Sequence, residues 1–203
     1  MTSDLASVSP INAEFRSRIL DWLKLNVPET RIRHILRVET MSIELAQHYN
    51  LDVEKAAIAG LMHDLAKFFK PERLIAMAAA EGRVINDIER AAPHLLHAEM
   101  GAVVARDEFG ITDPEILNAI ANHTLGQPGM DELSCVVFLA DSLEPGRGKS
   151  PEVEELRLLC TENLKAAVWR TADYSLQYLL RSQQLIHPRT VMTRNWFLQA
   201  VNG

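Results

Sequence analysis

The chain has 203 residues, 47% of them apolar and 24% charged, with a formal net charge of −6. That is enough chain to bury a core without disulfide or metal staples, and too apolar to stay disordered. The acidic balance argues against a binder of polymeric nucleic acid or of an anionic membrane surface, and no apolar run approaches the roughly 20 residues that a bilayer crossing needs.

Residues 1–10 contain Asp4, no early basic residue and no apolar core segment, so they do not read as a signal peptide. Helical periodicity dominates from there on, and strict alternation is absent, so strands are not expected. The pattern predicts helices over residues 12–25, 30–49, 53–68, 71–81, 84–91, 95–108, 114–123, 131–143, 152–167, 170–184 and 190–201. Punctuation supports the breaks: Asp52 can cap the third helix, Pro71 suits the first turn of the fourth, Gly110 closes the sixth, and Asp113-Pro114 opens the seventh. Residues 144–151 form the longest helix-free stretch in the middle of the chain and mark a subdomain edge or a functional loop. Cys135 and Cys160 sit in apolar contexts without a CxxC pair and read as reduced core residues of a cytoplasmic protein.

Five of these segments carry polar residues on apolar stripes. His34, Val38, Met41 and Leu45 share one face of the second helix. The third helix is apolar almost all round over residues 56–62 and runs straight into His63-Asp64. A carboxylate buried there must be paired, protonated or bound to a metal. His97 follows Pro93 at a helix start, His123 continues the Ile116–Ile120 stripe, and Asp141 continues the Leu133–Val137 stripe. A lone buried histidine is ordinarily a satisfied core residue, and a lone buried aspartate ordinarily a cap or an ion-pair partner. Four histidines and two aspartates interrupting apolar stripes on five helices are explained together by one central site of imidazoles and carboxylates. With no cysteine in the set, a thiolate zinc site is excluded. Mixed nitrogen and oxygen donors suit iron, manganese, cobalt or zinc. Asp64 has two oxygens and can bridge two ions about 3.5–4 Å apart, as two-metal phosphohydrolases require.

Cations gather beside these residues. Arg31 lies one turn before His34, Lys67 lies four residues after His63, and Arg147 lies six after Asp141 in a glycine-flanked loop. Taken singly they read as solvated helix ends. In an acidic chain, together, they point to a small anionic substrate such as a phosphate ester or anhydride.

The order His34, His63-Asp64, Asp141 resembles the H…HD…D signature of HD-domain metal phosphohydrolases. The segments 31–38, 60–67, 97–102, 118–124 and 138–147, together with Ile186-His187-Pro188-Arg189-Thr190, resemble the YqeK branch of that superfamily. The likeness covers about residues 14–200, with small departures at Ile35 and at Lys149-Ser150. It implies an all-α, HD-domain helical bundle with a metal site at its centre, forming a single domain over residues 1–203. The core of that domain would span about 14–145, and a helical extension about 152–203.

The resemblance further implies iron, one ion or two, and symmetrical hydrolysis of diadenosine tetraphosphate to two ADP. It makes His34, His63, Asp64 and Asp141 the metal ligands. Asp64, His97 and His123 become candidates for a second metal, and Arg31, His34, Lys67, His97, His123 and Arg147 contacts to the nucleotide. Asp64, Lys67, His97 and His123 are the candidate catalytic groups; whether His97 or His123 protonates the leaving oxygen or holds a phosphate stays open. His187 is a further candidate for substrate binding, with Ile186–Thr190 closing over a base; the plainer reading of this region is a solvated helical surface. Trp169, Tyr174, Tyr178 and Trp196 fit core first, then a homodimer face or a base-stacking wall. The competing functions are an HD phosphohydrolase acting on mononucleotides or deoxynucleotides, a catalytically silent nucleotide sensor, and a plain helical bundle.

Overall fold

The computed structural model describes residues 10–203. The N-terminal stretch that does not read as a signal peptide lies, but for Pro10, outside the described residues. Among the described residues there are helices and no strands. The helices are α1 (Ala13–Asn26), α2 (Glu29–His48), α3 (Val53–Met62), α4 (Pro71–Ala80), α5 (Asp87–Ala91), α6 (His97–Phe109), α7 (Pro114–Asn122), α8 (Glu132–Leu143), α9 (Pro151–Glu162), α10 (Leu164–Arg181) and α11 (Pro188–Asn202). Short 3₁₀ turns, Pro93–Leu96 and Pro145–Arg147, precede α6 and follow α8.

Side-chain caps set most starts. Asp52, Asp113 and Asp131 accept from backbone N–H groups at the openings of α3, α7 and α8, and Asn86 with Glu89 forms a capping box on α5. Gly110 closes α6 in the left-handed region, φ 74°. No helix of the described residues is long and apolar enough to cross a membrane.

Two boundaries differ from the periodicity. The third helix ends at Met62, not 68. The Gly60 carbonyl, which a continuing helix would offer to the N–H of residue 64, accepts from His63 Nδ1 at 2.7 Å. Residues 63–69 then tighten into i→i+3 turns, Leu65 N–H to Met62 O and Lys67 N–H to Asp64 O. The break placed between residues 167 and 170 lies instead at Asn163, whose side chain accepts from the Ala166 N–H at 2.9 Å and caps α10.

α3 and α8 are the central helices. Every residue from Ala56 to Met62 is buried, as is every residue from Leu133 to Ala140. α2 and α7 both lie against this pair, α1 covers α2, and α9, α10 and α11 stack outward from α8. One apolar cluster joins α1, α2, α3, α6 and α7, and a second joins α2 and α8 to α9, α10 and Phe197 of α11. Burying one Leu, Ile or Met side chain stabilises by about 1.5–3 kcal/mol. Two apolar masses therefore clamp α3 and α8 in place, and the polar residues at their C-terminal ends are carried on rigid supports.

Candidate metal centre

Three helix C-termini meet where the two clusters join. His63 is the C-cap of α3, His123 is the C-cap of α7, and Asp141 lies in the last turn of α8. His34 comes from α2, and His97 begins α6. Helix C-termini carry partial negative charge and favour a cation. His34, His63, Asp64, His97 and His123 are all buried, and Asp141 has a small exposed edge.

Local backbone geometry fixes the ring orientations. His63 Nδ1 donates to Gly60 O at 2.7 Å, His123 Nδ1 to Ile120 O at 2.7 Å, and His97 Nδ1 to His94 O at 2.5 Å. Each ring thus donates to the carbonyl three residues back, which for His63 and His123 is a group that a helix C-terminus leaves free. A carbonyl only accepts, so each Nδ1 carries a hydrogen and each ring turns its Nε2 inward. Those nitrogens converge on Asp64. His63 Nε2 is 3.3 Å from Asp64 Oδ2, and His97 and His123 Nε2 are 3.4 and 3.6 Å from Oδ1. His97 and His123 Nε2 face each other at 3.1 Å. His34 repeats the arrangement: its Nδ1 meets the buried Glu144 carboxylate at 2.9 Å, and its Nε2 meets Asp141 Oδ1 at 3.0 Å.

Lone pairs facing lone pairs and carboxylates repel unless a positive charge lies between them. Burial pushes the His97 pKa down to about 4 and lowers that of His123, so protons do not fill that role at neutral pH. His63 Nε2 and Asp64 Oδ1 are buried and have no hydrogen-bond partner. Burial alone would raise the pKa of Asp64, and positive charge placed at the surrounding imidazoles, His63 foremost, outweighs it and holds the carboxyl well below the usual range. Asp141 is held low in the same way, chiefly by His34 against burial. Two sets of donors, His34, His63 and Asp141, and His63, Asp64 and His123, each lie within 4.8 Å of one another. Mixed imidazole and carboxylate donors at this separation fit a divalent metal ion.

The cations take specific places. Arg31 pairs with Asp64 Oδ2, and Arg147 pairs with Asp141 Oδ1 at 2.6 Å. Lys67 Nζ donates to His97 Nε2 at 3.2 Å, as does Thr124 Oγ1. Burial lowers the Lys67 pKa, with Asp64 and Asp141 opposing. Arg31, Lys67 and Arg147 line a cleft of about 520 Å³ together with His123, Asp141 and, from α10, Tyr174 and Ser175.

Glu144 has a place in the site that the sequence analysis did not give it. It accepts from His34 Nδ1, twice from Arg37 and from the Gly146 N–H. Burial would raise its pKa, but Arg37 and then His34 hold it at about 2. The available signal was its position three residues after Asp141 at a helix end. Tyr174 proves to be a cleft wall. His187 is not in the cleft: it caps α11, its Nδ1 accepting from the Arg189 N–H, and it lines a separate cavity. Its neighbour Arg189 pairs with Glu99 rather than with the metal-site carboxylates.

Residues 31–146 match the HD domain model. That span holds His34, His63, Asp64, His97, His123, Asp141 and Glu144. The symmetrical bis(5'-nucleosyl)-tetraphosphatase of Bacillus subtilis (strain 168) is 35% identical over 183 residues, which cover 90% of this chain and 97% of that protein. The chain belongs to the YqeK-type branch of the HD-domain family. The protein of the same description from Halalkalibacterium halodurans is 36% identical to this HD-domain chain, with the same coverage. A crystal structure from Clostridium acetobutylicum, described as a predicted HD superfamily hydrolase involved in NAD metabolism, superposes with a TM-score of 0.87 at 36% identity, over 91% of this chain and 97% of that one.

Proposed function

We propose that the chain is an iron-dependent phosphohydrolase that cleaves diadenosine tetraphosphate symmetrically to two ADP, acting in the cytoplasm as one domain over its whole length. The observation that carries this reading is the convergence of inward-turned Nε2 atoms on Asp64 and Asp141, beside a cleft lined by Arg31, Lys67 and Arg147. Full-length similarity to two symmetrical tetraphosphatases supports the choice of substrate. The nitrogen–oxygen donor set suits iron, manganese, cobalt or zinc alike, and the family resemblance supports iron among them.

In this reading His34, His63, Asp64 and Asp141 hold the metal, and Asp64, His97 and His123 serve a second ion or a phosphate. A bound metal supplies Lewis-acid charge and lowers the pKa of water toward neutrality. The rest is the work of side chains. Arg31 and Arg147 each spend part of a guanidinium on a site carboxylate, which fixes the fork; the remaining N–H groups grip phosphoryl oxygens. His97 is neutral at pH 7 with its hydrogen committed to His94 O, so it has no proton to give at Nε2. Lys67, beside it, carries the donatable proton and offsets charge on the leaving diphosphate. No serine or cysteine nucleophile has a part in this reading.

The test is a product analysis of metal-loaded protein on diadenosine tetraphosphate. Two ADP per substrate is the expected result. ATP plus AMP, or phosphate released only from mononucleotides, would replace the proposal with another HD phosphohydrolase activity.

A further inference from the structure

The end of α8 has carbonyls that no further turn of helix can satisfy. Ala140 O takes the Glu144 N–H at 3.0 Å, and Glu144 then leaves the helix with φ −50° and ψ 153°. Arginines take over from there. Arg147 Nε donates to Asp141 O at 2.7 Å while its Nη2 pairs with Asp141 Oδ1. Arg157, on α9, donates from Nε to Leu143 O at 2.7 Å and from Nη2 to Glu144 O at 3.0 Å. Its Nη1 pairs with Glu154 Oε1 at 2.7 Å, so all three guanidinium nitrogens are engaged and the fork is fixed.

Two observations set Arg157 apart from an ordinary helix cap. Glu144 O also accepts the Arg147 N–H at 2.8 Å, so Arg157 grips the same oxygen that closes the 3₁₀ turn carrying Arg147. Residues 145–150 are all exposed, so packing gives that turn little support. Polar contacts hold it instead: the Glu144 carboxylate on the Gly146 N–H, Arg147 on Asp141, and the Arg157 fork. Of these three, only Arg157 comes from another helix. Its base is firm, since Val153, Leu156 and Cys160 of α9 are buried in the cluster that contains α8. We propose that Arg157 is a positioning residue: it holds the 144–147 turn so that Arg147 stays on Asp141 with its free N–H groups turned to the phosphates. This rests on the proposed function, in which Arg147 grips the phosphates.

The test is a double-mutant cycle on metal-loaded protein, with kcat/KM for diadenosine tetraphosphate measured for wild type, Arg157→Met, Arg147→Met and the pair. Methionine keeps the apolar stem of Arg157 and removes its donors, and melting curves check that each variant folds. Arg157→Met is expected to lower kcat/KM by about tenfold. Where Arg147 is already replaced, the same change lowers it by no more than about twofold, because the group through which Arg157 acts is gone. An equal loss in both backgrounds, or no loss in the folded single variant, overturns the proposal. Arg157→Lys keeps the charge without the planar fork and recovers only part of the rate; it carries the test if the methionine variant does not fold, and a lysine variant as fast as wild type overturns the proposal. Amide exchange at Gly146 and Arg147 reads the turn without substrate and is faster in the Arg157 variants. Exchange unchanged there overturns the proposal whatever the enzyme hydrolyses. A wild type that leaves diadenosine tetraphosphate uncut, with exchange faster in the variants, tells against the proposed function and keeps Arg157 as the support of the turn.

Discussion

Replacing Glu144 by Gln tests the support beneath the metal site. Glu144 is almost fully buried and takes four hydrogen bonds, from His34 Nδ1 at 2.9 Å, Arg37 Nε, Arg37 NH2 at 3.0 Å and the Gly146 N–H at 2.5 Å. Gln has the same shape, no charge and one oxygen fewer. Each oxygen takes two of those donors, so the amide nitrogen of Gln must face two of them. Removing one partner of a buried ion pair costs about 3–5 kcal/mol. Arg37 is 39% exposed on its side chain, which lets water recover part of the loss, so about 3 kcal/mol is expected. For a chain of this length that lowers the Tm by roughly 6–12 °C. The effect on metal is separable. Glu144 holds the hydrogen on His34 Nδ1 and so keeps Nε2 available; losing such a partner weakens metal binding about 10–100-fold. Thermal melts in chelator give the first quantity, and competition against a metal-binding dye gives the second. A Glu144→Gln protein that melts lower yet binds metal within twofold of wild type would show that Glu144 only braces the fold. One that matches wild type in both would refute the reasoning altogether.

Asp64→Ala is expected to lose metal and turnover together, whereas Lys67→Ala keeps its metal and loses roughly a hundredfold in kcat/KM, the usual cost of one charge-stabilising contact; metal analysis beside steady-state kinetics separates the two, and the reverse pattern would reverse the roles. In the metal-free protein, His97 folds with its pKa pushed by burial from 6.5 to about 4. The unfolded chain therefore takes up the proton first, and stability is present above pH 6.5 and lost as pH falls toward 4, by up to about 1.4 kcal/mol per pH unit for this group. His123, lowered in the same direction, adds to the slope. Melting temperatures between pH 7 and 4 that stay flat would contradict this. Gly60→Ala places a Cβ 2.9 Å from Ser42 Oγ and 3.0 Å from the Glu39 backbone, prising α3 from α2, and is expected to cost about 1–3 kcal/mol in a denaturant melt.

Much of the fold was legible because the chain punctuates itself. Caps at Asp52, Asp113 and Asp131, and prolines in first turns, act locally, so reading them needs no knowledge of the partner helix. The break at Asn163 was missed because apolar periodicity continues across it, and only the cap marks the change. The end of α3 at Met62 was missed because a histidine side chain takes up a helix carbonyl, which periodicity does not register. The metal-site residues stood out because a polar group on an apolar stripe is costly unless something pays for it, and that cost is visible in one dimension. Contacts across the fold are not. Glu144 meets His34 across 110 positions, and Arg31 meets Asp64 across 33. His187 was read from its motif as a substrate contact in a segment closing over a base, while the fold uses it to cap α11 and to wall a cavity apart from the cationic cleft.

The central claim is that His34, His63, Asp64 and Asp141 jointly grip a metal ion. Crystals of the protein as purified, measured on either side of the iron absorption edge, test it directly. The account predicts an anomalous peak bonded to those four side chains at about 2.0–2.2 Å, appearing above the edge and vanishing in Asp64→Ala. No peak among them, or a peak held by other residues, would contradict it.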